Sequence, residues 1–141
     1  MDNEFENGYG ALNDDTRRKL KDLSRALLRL HKTLLDAAKA EYEAQNGAIA
    51  SPNHYLQLVL NDEHFAWLRK ISSLVALVDE AASVRRPASE REAHALVDEA
   101  KMLLNFEEAD EEFNDKFQTA LQTNADAVIN HNDALGFVAE G

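Results

Sequence analysis

Apolar residues recur at spacings of three and four along most of this chain, and nowhere do they alternate with polar ones over a strand-length run. A period near 3.6 means helices that each bury one face, so the pattern predicts an all-α protein. The densest stretch is Asn61 to Glu80. There Phe65, Leu68, Ile71, Leu74, Val75 and Val78 form a broad arc beside Trp67. An arc that wide suits a helix packed on more than one side. Asp62 is placed to cap its start, and Glu63 suits the positive end of the helix dipole.

The same pattern places the other elements. Leu20, Leu23, Leu27, Leu30, Leu34 and Ala38 make one stripe, widened by Leu28, Leu35 and Tyr42. One long helix is expected there, starting at Asp14, Asp15 or Thr16 and stopping at Asn46-Gly47. Ser51-Pro52 is a cap followed by a first-turn proline, and Tyr55, Leu56, Val59 and Leu60 follow as a short apolar helix. Whether it continues through Asn61-Asp62 or bends there is left open by the pattern. Ser83 to Ala88 is the next connection, and Ser89 with Glu92 forms a capping box. Behind that box Leu96, Ala100, Leu103, Phe106, Ala109, Phe113, Phe117, Ala120 and Leu121 extend one stripe, which weakens through Val128 and Leu135. Unbroken to Leu135, that helix would be about 68 Å long. It therefore either overhangs the rest or breaks and folds back, with the Asn- and Ala-rich run from Asn124 to Asn132 as a place to break.

The expected architecture is a three- or four-helix up-down bundle with a long C-terminal helix, in one domain spanning 14–138. Residues 1–13 carry no periodicity and are expected as a disordered tail, with Phe5, Tyr9 and Leu12 free to dock.

Composition narrows the chemistry. The chain has 141 residues and no cysteine, which removes disulfides, thiolate metal sites and cysteine nucleophiles and fits a reducing cytoplasm. No run approaches the ~20 apolar residues of a membrane span, and the acidic start is unlike a signal peptide. The net charge is −11, which argues against nucleic-acid binding. The charge is uneven. Arg17 to Lys32 holds seven basic residues against Asp22 alone, whereas Glu107 onward holds nine acidic residues against Lys116 alone. Both runs read first as solvated faces. The acidic run would also suit a basic partner, including the basic patch of another copy, or imitate nucleic-acid phosphates.

Motifs for nucleotide, hydrolase, EF-hand and HExxH chemistry are missing, and no Glu lies three residues before any of the five histidines, so the di-iron Glu-x-x-His pair is not written here. One polar constellation passes a height estimate. His31 lies about 22 Å before the turn at Asn46, and His64 about 20 Å after Ser51 if that segment stays helical. In an antiparallel pair they share a level with Glu107, Asp110 and Glu111. Imidazole and carboxylate are ligands that Fe or Zn accepts, so these five residues are the metal candidates. The plainer reading is a pair of boundary histidines hydrogen-bonded to acidic neighbours.

The segment LQLVLNDEHFAWLRKISSLVALVDEA, with its F-A-W-L-R core at Phe65 to Arg69, resembles a family of small, uncharacterised bacterial all-helical proteins. That resemblance implies a bacterial, cytoplasmic helical protein and assigns no role to any residue.

The function expected from the sequence is that of a small acidic interaction protein, without catalytic residues or cofactor. It associates with itself as a homodimer or with another protein, away from membranes. Its expected interface is Val128, Ile129, Leu135 and Phe137. The alternatives are a metal-binding, oxidoreductase-like bundle and a bundle holding a small apolar ligand.

Overall fold

Asn13 begins the first helix: its side chain accepts the Thr16 backbone N–H at 2.8 Å, one residue ahead of the expected caps. The computed structural model describes residues 12–84 and 88–139. The expected tail up to residue 11, with Phe5 and Tyr9, and the connection at Arg85–Pro87 lie outside them. The folded domain already includes residues before the expected boundary after residue 13: Leu12 is buried and Asn13 is a cap.

The described residues contain six α-helices, one 3₁₀ turn and no strand. They are α1 (Asp14–Asn46), α2 (Pro52–Asn61), the 3₁₀ turn (Glu63–Leu68), α3 (Arg69–Ala81), α4 (Glu90–Leu104), α5 (Glu111–Gln122) and α6 (Ala125–Gly136). The all-helical reading therefore holds.

α1 is the spine. Leu20, Leu23, Leu27, Leu30 and Leu34 are buried along it, each contributing about 1.5–3 kcal/mol by leaving water. α3 and α6 both pack against it. Gly47 ends it at a φ of 88°, a left-handed backbone that suits glycine, and its N–H bonds the Glu43 carbonyl. Pro52 to Ala81 is not one helix. At Asp62 the backbone is extended (φ −86°, ψ 142°), and the Asp62 side chain then accepts the His64 N–H to start the 3₁₀ turn.

The long C-terminal helix is divided into three. α4 stops at Leu104, because Phe106 takes a φ of 60°. The Phe106 N–H then reaches back to the Leu103 carbonyl and the Glu107 N–H to the Met102 carbonyl. This is the Schellman arrangement, with phenylalanine where glycine usually sits. The second break is at Thr123, where Asn124 caps α6 by accepting the Ala127 N–H. α6 thereby returns onto α1 and α4, as the fold-back alternative required.

Long-range polar contacts fix the helix ends. Glu90, at the start of α4, accepts the Asn13 N–H at 2.9 Å and the Thr16 hydroxyl at 2.9 Å. Its carboxylate thus serves two helix N-termini, where negative charge is favoured. Arg17 donates to the Ala82 carbonyl at 3.1 Å, tying the start of α1 to the end of α3.

Candidate interaction surface

The five proposed metal ligands are not gathered into one layer. His64 points at α1, but its Nε2–H donates to the Ala38 carbonyl at 2.8 Å. That choice of tautomer follows from the carbonyl, which only accepts. Glu41 lies 3.8 Å from the same nitrogen, and the Tyr42 and Phe65 rings pack on the imidazole. His31 and Ala38 are seven residues apart on α1, about 10 Å along its axis. The height estimate assumed a continuous helix from Ser51 to His64, and the extended residue at Asp62 breaks it. Glu107 is exposed beyond the Phe106 turn, and Asp110 is used as the cap of α5, accepting the Phe113 N–H at 3.2 Å. Glu111 is exposed in the first turn of that helix. Among the described residues no three His, Cys, Asp or Glu side chains form a group able to hold a metal.

His31 is half-buried, and desolvation holds its pKa below the ordinary 6.5. Elsewhere, the Glu108 carboxylate sits 3.6 Å from Lys70. Lys70 also lies 5.9 Å above the Phe113 ring. Lys70 and Glu108, with Trp67, Ser73 and Glu99, line an open cleft of about 430 Å³ between α3 and α4. Its acids and bases are mixed, with no nucleophile–base pair among them. A second groove, near 330 Å³, holds His64 with Glu41, Asp115 and Lys116.

The expected interface is split by the fold-back. Leu135 and Phe137 pack against the protein's own core, flanked by buried Ala134 and Val138. They are occupied within the chain, because α6 turns back at Asn124. Val128 and Ile129 remain exposed, at 39% and 59%.

Among the described residues, α2 is the helix with no buried residue. Ser51 caps it by accepting the His54 N–H at 3.1 Å, and Pro52 occupies its first turn. Tyr55, Leu58 and Val59 are half-buried, and no residue of the helix is buried. Its outward face carries Asn53, Leu56, Gln57 and Leu60, with Leu56 52% and Leu60 53% exposed. Ala44 to Asn61 contains no Asp, Glu, Lys or Arg, in a chain of net charge −11. Leu56 and Leu60 are neighbours on this face, which makes it the candidate contact surface.

The inward side holds α2 in place. Arg69 donates to the Val59 carbonyl at 2.8 Å, a cation at the negative end of the helix. The Tyr55 ring meets Phe65 edge-on at 6.1 Å, under the Lys39 ammonium at 5.0 Å. Among the described residues the buried Tyr55 hydroxyl has no hydrogen-bond partner. Burial first, then the carboxylates of Asp36 and Glu43, hold its pKa above the ordinary 10.0.

Sequence periodicity locates α2 as a short apolar helix but does not separate Leu56 and Leu60 from its half-buried residues. The signal that separates them is the missing charge on either side. A helix with a solvated face normally carries charged residues there, whereas this one has three amides and His54 and no Asp, Glu, Lys or Arg.

No protein-family model, curated protein or solved structure matches this chain.

Proposed function

We propose that this protein is a non-catalytic interaction protein that works by associating with itself. The reading rests on α2, a helix without Asp, Glu, Lys or Arg whose Leu56 and Leu60 stay more than half exposed side by side. The helix layout fits such a role. We read it as an up-down arrangement: α3 runs against α1, as the Arg17 bond to Ala82 suggests, and α4 runs back alongside α1, as the Glu90 bond to Thr16 suggests. A frame of that kind holds α2 at one end, clear of the main packing.

Sedimentation equilibrium of the full chain, from micromolar to roughly millimolar concentration, tests the reading, since a small contact is expected to be weak. A mass rising from one copy towards two is the expected result. A single-copy mass across the whole range would sink it.

A further inference from the structure

We propose that two copies pair through α2, antiparallel about a two-fold axis that passes near Gln57. This rests on the self-association reading and names its surface. A two-fold contact sets each patch against an identical patch. Any net charge in the patch then meets its own sign, and on a protein of net charge −11 that repulsion is costly. Ala44 to Asn61 is the longest stretch of the chain without a charged residue. It is where two such acidic molecules meet with least opposition.

The polar residues of α2 suit the same geometry. Asn53, Gln57 and Asn61 follow one another at helical spacing beside Leu56 and Leu60. A primary amide carries donor and acceptor together, so it pairs with an identical amide, as two carboxylates or two ammonium groups do not. Asn61 and Gln57 already make such a bond within one copy, at 3.3 Å. In the antiparallel pair Leu56 of one copy lies against Leu60 of the other, and Gln57 meets its counterpart at the axis. Two other exposed apolar sites are less suited. Leu28, 54% exposed, sits between Arg25, Arg29 and Lys32, and Ile129 lies between Asp126 and Asp133. A ten-residue helix offers less than the ~800 Å² per partner of a standard interface, so the pair is a weak, concentration-dependent one.

The chain has no cysteine, so a single introduced thiol reports proximity without interference. The test uses full-length Gln57→Cys, with His94→Cys on the exposed surface of α4 as comparison, both oxidised mildly at the same concentration. Gln57→Cys is expected to form the covalent dimer at least fivefold faster. Equal rates would overturn the pairing. In parallel, Leu56→Glu with Leu60→Glu is compared with Ile129→Glu by sedimentation, with helical content and unfolding midpoint confirming that each variant folds. The α2 double variant is expected to raise the dimer dissociation constant at least tenfold, and Ile129→Glu to leave it unchanged. If the wild type associates and only Ile129→Glu weakens it, α2 is the wrong surface and self-association stands. If the wild type stays monomeric throughout, both readings fall.

Discussion

His131 joins the break at Phe106 to the helix that folds back over it. Its Nε2–H donates to the Leu104 carbonyl at 2.8 Å. Leu104 closes α4, and its carbonyl is among those a helix leaves without an internal partner. The imidazole also packs against Phe106 at 5.5 Å and Phe117 at 5.4 Å. Removing the bond alone leaves a carbonyl unpaired beside a buried residue, at a cost of about 1–2 kcal/mol. Removing the ring as well forfeits two aromatic contacts, each about 0.5–1.5 kcal/mol. His131→Phe is therefore expected to lose about 1–2 kcal/mol and His131→Ala about 3 kcal/mol. For a domain of this size the second figure lowers the thermal midpoint by roughly 6–12 °C. Urea unfolding followed by the fluorescence of Trp67 measures both, since that is the single tryptophan and its ring lies 6.0 Å from Phe113. If His131→Phe equals the wild type, the hydrogen bond contributes nothing. If His131→Ala costs less than about 0.5 kcal/mol, the argument that this residue locks the fold-back is refuted.

Three further outcomes follow from named contacts. Glu90→Gln keeps the shape of the double cap but removes its charge, and a loss of about 1 kcal/mol is expected in the same unfolding assay, with Glu90→Ala losing more; equal stability of all three would show that the carboxylate does not matter. Phe106→Gly is expected to be more stable than Phe106→Ala by about 1 kcal/mol, because both lose the ring contact to Phe117 but only alanine pays the left-handed backbone; the reverse order would deny the strain. His31 has a folded pKa below its unfolded value near 6.5, so the unfolded chain binds the proton more readily and stability falls as pH drops below about 6.5 towards the folded pKa. In unfolding curves taken between pH 7.5 and 5, His31→Gln should have a shallower pH slope than the wild type, and an unchanged slope would exclude His31 as its source.

The boundaries that the sequence disclosed are those written by neighbouring residues. Ser51-Pro52, Ser89 with Glu92, and Asn46-Gly47 each act on backbone groups within one turn, so their effect needs no knowledge of the fold. The break at Phe106 is different. Its apolar stripe runs on at helical spacing through Ala109 and Phe113, and no glycine marks the left-handed residue. Only the packing of Phe106 against Phe117 and His131, from two later helices, accounts for that conformation. The His31 and His64 layer fails for a related reason. Heights along helices add up only while the helices are straight, and one extended residue at Asp62 shifts everything beyond it. Leu56 and Leu60 show the limit of period alone: it identifies a helix face, but which apolar residues stay uncovered depends on how many neighbours arrive.

The spine helix also has a consequence for synthesis. α1 carries the longest leucine stripe among the described helices and emerges before its partners α3 and α6, with Thr33 meeting Asn130 across 97 residues. At about 5–20 residues per second, that stripe waits roughly 5–20 s for α6 to emerge. Through that interval Leu20 to Leu34 are the chain's most adhesive surface, and ribosome-bound intermediates ending before Ala125 are the forms that holding chaperones should engage.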